Sequence, residues 1–216
     1  MIISSKNLEF GLKWWIEKTP WGEEFVNDEY YDIYKIRAGR VDSDWLKLTV
    51  DRLWTWRAIR SPRPPNSKDE ITRRGFHQIQ AISIECERLF GISNSELSIE
   101  DVKWEDISGL YNLVLPIKCA SHMFASKFCH FLFPKVFMVV DNLATGVIEY
   151  EFYWRGMKEE WSRCQEKDNL TRILENNIKS SRSLHLDYPF ETKIIELSQI
   201  GYSQRDHRGD VELLLH

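Results

Sequence analysis

The chain has 216 residues, 43% of them hydrophobic and 29% charged, a length and mix that can bury a real core and are ordinary for a soluble globular protein. Its formal net charge of −4 supplies no overall basic surplus of the kind that drives non-specific DNA binding, and no apolar run approaches the roughly 20 residues needed to span a bilayer. The four cysteines, Cys86, Cys119, Cys129 and Cys164, show no CxxC pairing, which argues against a disulfide framework and a zinc ribbon and leaves reduced thiols as the default.

The amino terminus MIISSKNLEF has neither the basic nor the apolar region of a signal peptide, so a cytoplasmic location is expected. Residues 5–18, with Trp14, Trp15 and Ile16 in a polar background, predict a short helix stopped ahead of Pro20. A second helix is expected over residues 27–37, closed by Gly39. Ser43 or Asp44 can cap a third that runs through Arg60, with Leu46, Val50, Leu53 and Trp54 at helical spacing. The loop SPRPPNS breaks that pattern. Ser67 with Glu70 three residues later is a capping box for a helix ending at Gly91, and Ser98 with Asp101 repeats the signature before helical turns to Leu113. A helix follows Pro116 and ends at Pro134. Beyond Asp141 the periodicity supports helices to about Cys164, over residues 169–178, and from Phe190 to Ile200, the last ended by Gly201. No segment alternates strictly, so the chain reads as one all-α domain, with room for two lobes and a cleft near residues 116–142. The carboxyl-terminal remainder GYSQRDHRGDVELLLH is expected to be partly mobile.

One stretch departs from the acidic average. Between Asp51 and His77 stand seven basic residues, Arg52, Arg57, Arg60, Arg63, Lys68, Arg73 and Arg74, against three acidic ones. Such a run is commonly a solvated helix face with an exposed loop, and alternatively a phosphate-contacting surface. Trp54 and Trp56 lie inside it and are expected to pack in the core, as tryptophan usually does.

Residues 116–142, PIKCASHMFASKFCHFLFPKVFMVVDN, carry the candidate chemistry. At about 100° per residue, Ala120, Phe124, Phe128, Phe131 and Leu132 share a face that must be buried. Lys127 falls on its border, where an amine either reaches water over its apolar stem or stays partly desolvated with a lowered pKa. Val136 to Val140 read as a buried extended connection that delivers Asp141, a suitable cap for the helix after it. His122 and His130 flank the lysine and could relay protons or simply be hydrogen-bonded. Cys119, His122, Ser126 and Cys129 share a stripe, but helical rise spreads it over about 15 Å, too far for one metal ion, so no metal site is expected.

A helix bearing a lysine, a proline at its end, an apolar extended run, an aspartate and a further helix together resemble the helix-hairpin-helix DNA glycosylases, and among them the bacterial proteins described as 8-oxoguanine glycosylase-like. The match covers residues 113–142. The resemblance implies a two-lobed helical bundle, no cofactor and DNA as partner. It also implies that Lys127 is the nucleophile attacking C1′ of a flipped nucleotide and Asp141 the carboxylate assisting glycosidic cleavage. The stretch PIKCAS has no glycine where the family's hairpin is glycine-rich, so phosphate contact falls to side chains: Lys118, His122, and Arg57, Arg60, Arg63, Lys68, Arg73 and Arg74. A second expectation from another class is a catalytically silent helical module that binds nucleic acid or a protein partner, as in a bacterial defence or toxin system. Oligomeric state is not legible.

Overall fold

The computed structural model describes residues 1–37, 40–61, 63–92, 97–119, 121–141 and 149–212, with side chains described as far as Arg205. Among these residues all regular structure is helical. Among the described residues there are nine α-helices: α1 Ser5–Lys18, α2 Asn27–Arg37, α3 Ser43–Thr55, α4 Lys68–Phe90, α5 Trp104–Val114, α6 His122–Leu132, α7 Tyr150–Arg163, α8 Lys167–Asn177 and α9 Phe190–Glu212. Short 3-10 turns occupy Gly22–Glu24 and Leu115–Lys118. No described helix is long and apolar enough to cross a membrane. The chain forms two compact units, one made of residues 1–31 and 140–216, the other of residues 32–139.

In the first unit α1 packs against α8 and α9. The crossing of α1 with α9 depends on two glycines. A Cβ at Gly11 would lie 1.9 Å from the Leu197 carbonyl oxygen, and one at Gly201 would lie 1.9 Å from that of Asn7, so only hydrogen fits at either position. Gly201 therefore does not end the last helix as expected. It lets α9 continue to Glu212 across α1, and most of the segment expected to be mobile is helical. Asn27 pins the chain after α8, donating to the Ser180 hydroxyl and the Ser183 carbonyl (2.9 and 3.0 Å) and accepting from the His185 amide (2.9 Å). Lys193 and Glu196 form an ion pair at 2.6 Å with both side chains nearly sealed from water, and the ammonium lies 4.9 Å from the Trp15 ring.

In the second unit α3, α4, α5 and α6 pack in succession, with α3 also against α6. Asp42, rather than Ser43 or Asp44, caps α3, its carboxylate accepting from the Asp44 and Trp45 amides at 3.0 Å each. Ser67 caps α4 as its sequence signature predicts, accepting from the Glu70 amide. The Ser98–Asp101 signature forms only a turn, with Asp101 accepting from the Ser98 amide. The helix begins at Trp104, where Asp106 accepts from the Lys103 amide at 2.7 Å. Pro116 lies in the Leu115–Lys118 turn and α6 starts six residues later, capped by Ser121. Every residue of α6 from Phe124 to Leu132 is buried, so beyond its first two residues this helix has no solvent face.

Candidate functional site

The site's geometry begins where α3 stops, five residues short of Arg60. The Ala58 amide donates to the Leu53 carbonyl (2.9 Å) and the Arg57 amide to the Trp54 carbonyl (3.0 Å), the paired bonds of a Schellman motif. Its left-handed position, usually glycine, is held by Arg57 with φ +54°. That reversal turns the next carbonyls outward, and three cations take them. Lys127 Nζ donates to the Trp56 carbonyl oxygen at 3.0 Å. Lys118 Nζ donates to that of Ala58 at 2.5 Å and Arg60 Nε to that of Arg57 at 2.9 Å. A helix carboxyl end carries partial negative charge, so cations are favourably placed there.

Lys127 is therefore not a border residue. It is 8% exposed within the fully buried stretch of α6, and its amine is held by a backbone oxygen instead of reaching water. The four described residues of the apolar face, Phe124, Phe128, Phe131 and Leu132, are buried as expected, while Ala120 lies outside the described residues. Phe128 meets Trp45 edge-on (5.6 Å between centroids) and Phe131 meets Trp56 (4.9 Å). Trp56, the residue that caps α3, is thus a core residue as expected, but Trp54, in the last turn of that helix, is 41% exposed.

His122, the first residue of α6, accepts at Nδ1 from or donates to the Tyr111 hydroxyl at 2.8 Å, with the two rings nearly parallel. His130 is buried with Nδ1 2.6 Å from the Phe137 carbonyl oxygen; a carbonyl only accepts, so Nδ1 carries the proton. This bond ties the end of α6 to the buried run Val136–Val140. Asp141, half-buried, follows that run as the first residue beyond it, in the other unit from Lys127. The helix start that Asp141 was expected to cap lies outside the described residues.

The basic stretch divides into three sets. Arg52 pairs with Asp32, Lys68 with Asp51, and Arg73 with Glu70 at 2.8 Å. Arg74 is a strut, donating from Nε to the Ile117 carbonyl and from its terminal nitrogen to that of Pro65, both at 2.6 Å. Arg57, Arg60 and Arg63 are exposed. Burial, and next the neighbouring Arg60 guanidinium, hold the Lys118 amine below the ordinary lysine range. Among the described residues no group of three or more His, Cys, Asp or Glu is placed to hold a metal ion.

Two features were missed in the sequence. The Schellman turn at Arg57 has no glycine to announce it, and its recipients, the carbonyls of Trp56 and Ala58, are backbone atoms that no side-chain pattern reports. Lys193 and Glu196 could have been found, since both sit in the apolar run KIIEL three residues apart. No family model matches this chain, and no curated protein or solved structure matches it either.

Proposed function

We propose that the protein is a helix-hairpin-helix-type DNA glycosylase acting on a flipped base, with Lys127 as nucleophile and Asp141 as the assisting carboxylate. The observation that carries the reading is the burial of the Lys127 amine. A lysine must be neutral to attack C1′, and exclusion from water is the principal means by which proteins lower the cost of neutralising it. Attack of Nζ on C1′ expels the base, and loss of a proton and ring opening then give a Schiff base to the sugar, with the carboxylate of Asp141 offsetting the positive charge that develops on the ring. The exposed Arg57, Arg60 and Arg63 supply the phosphate contacts that the glycine-free PIKCAS stretch does not.

The test is borohydride trapping on duplex DNA with an abasic site or a damaged base. A covalent adduct formed by the native chain and absent in Lys127→Gln supports the assignment, and Asp141→Asn is expected to bind DNA normally and cleave slowly. An adduct that survives Lys127→Gln overturns the role of Lys127.

The bond from Lys127 to the Trp56 carbonyl favours a second reading. There the ammonium serves only to cap α3, and the scaffold binds nucleic acid or a partner without chemistry. Tight DNA binding with no trapped adduct is its signature.

A further inference from the structure

We infer that the groove between residues 32–37 of α2 and the outer face of α3 is a binding site for a small organic anion with an apolar body, the head lying at Lys35 and Arg40 and the body over Ile36 and Leu48. The inference goes beyond the nucleic-acid reading and uses none of its residues.

The groove follows from the order of the two helices. The inner face of α3 is taken up by α4 and α6. Asp32, midway along α2, pairs with Arg52 in the last turn of α3, while Lys35 stands in the last turn of α2 and Arg40 two residues ahead of the cap Asp42. The two helices therefore run in opposite directions, with the chain junction at one end of the groove and the Asp32–Arg52 pair at the other. The space between them is about 550 Å³, the size of an ordinary small-molecule site.

Three observations indicate what fits it. First, the middle is apolar: Ile36, Trp45 and Leu48 line it, and Leu48 is 52% exposed. A hydrocarbon body laid there removes apolar surface from water. Second, the carboxylates that line the groove are already engaged. Asp32 is held by Arg52, Asp44 by Lys47 at 3.1 Å, Asp51 by Lys68, and Asp42 accepts from two amides at the start of α3. Among the described residues the lining cations Lys35 and Arg40 form no ion pair, although Arg40 is close enough to Asp42 to act on its charge. An anionic head completes this set, whereas a cationic ligand would have to break a pair that exists. Third, both of those cations are exposed and belong to the junction end, and Leu48 lies about 9 Å along α3 from Asp42 at the rise of a helix. That separation gives the ligand its polarity, with the charge at one end and a body of one or two rings, or a short chain, at the other.

The probes are anilinonaphthalene sulfonate and its uncharged counterpart phenylnaphthylamine, which share a body and differ in the anionic head. Each is titrated into the full chain and read by fluorescence. Saturable binding of the sulfonate with one site per chain is expected. The double variant Lys35→Gln with Arg40→Gln should bind the sulfonate about tenfold or more weakly, the effect of losing charge-assisted contacts, and should bind phenylnaphthylamine as before. Leu48→Ser should weaken both. Lys6→Gln, at an exposed lysine of α1, should change neither. Lys35, Arg40 and Leu48 are all exposed, so a native melting temperature in each variant separates loss of binding from loss of folding. Competition then identifies the body: displacement by indole acetate assigns an aromatic carboxylate and displacement by decanoate an aliphatic one, while displacement by neither overturns the small-molecule assignment. Equal weakening of both dyes in the double variant overturns the role of the cations. Sulfonate binding that is not saturable, or that is indifferent to Leu48→Ser, overturns the groove. Borohydride trapping on DNA is independent of all these results.

Discussion

Replacing Arg57 by glycine should make the fold more stable and the protein worse at its task. The native residue has φ +54° at the turn that ends α3, a region that costs an L-residue about 1–2 kcal/mol. Glycine removes that cost but starts from a more disordered unfolded chain, a penalty of about 0.5–1 kcal/mol. The difference leaves a net gain of roughly 0.5–1 kcal/mol, or about 1–4 °C in melting temperature for a chain of this size. The carbonyls of Trp56 and Ala58 keep their partners Lys127 and Lys118, because both bonds are to backbone. The same change removes one cation from the proposed interface, so the slope of log affinity against log salt should fall by about 0.9 in duplex DNA. Differential scanning calorimetry and DNA binding at several salt concentrations read the two effects separately. A melting temperature lowered by several degrees would refute the account of the turn. An unchanged salt slope with a raised melting temperature would keep the turn and remove Arg57 from the interface.

Lys127→Met keeps the stem volume but removes a buried hydrogen bond and leaves the Trp56 oxygen without that donor; a loss of about 1–3 kcal/mol is expected in urea unfolding, with the helical spectrum unchanged. Glu196→Gln strands the buried Lys193 ammonium and should cost about 3–5 kcal/mol, while the double change Lys193→Met with Glu196→Leu should stay within about 2 kcal/mol of native; equal losses in both would show that the pair is not an isolated buried charge couple. Thiol alkylation near pH 8, read by mass spectrometry, should modify the exposed Cys119 first. Cys86, whose thiol burial and then the neighbouring Glu85 and Glu87 push up to about 12, and the fully buried Cys129 should react only on unfolding. Modification of native Cys129 would contradict the enclosure of α6.

Helix existence was legible wherever apolar spacing coincided with a local stop or start signal. Ser67 shows this best, since its hydroxyl and the Glu70 amide lie within one turn and need no tertiary partner. Signals with two physical uses were misread. Gly201 carries the composition of a helix end, yet its missing side chain serves a helix crossing, a contact made with Asn7 far earlier in the chain. Asp42 lost to its neighbours Ser43 and Asp44 because three adjacent cap formers look alike until the backbone selects one. Lys127 was placed on a border because a helical wheel assumes one buried face, whereas α6 from Phe124 onward is buried on all of them. The polar half of the candidate site depends on carbonyl oxygens exposed by a turn, and sequence patterns of side chains do not record those.

The interlocking of α1 with α9 has a bearing on how the protein is made. Residues 32–139 leave the ribosome as one uninterrupted stretch that contains the whole of its own unit, whereas α1 must wait for Leu197 and Gly201 to be synthesised. At about 5–20 residues per second that delay is roughly 10–40 s. Throughout it the greasy stripe of Leu8, Leu12 and Trp15 has no α9 to cover it, so the nascent first helix carries uncovered apolar surface for that interval.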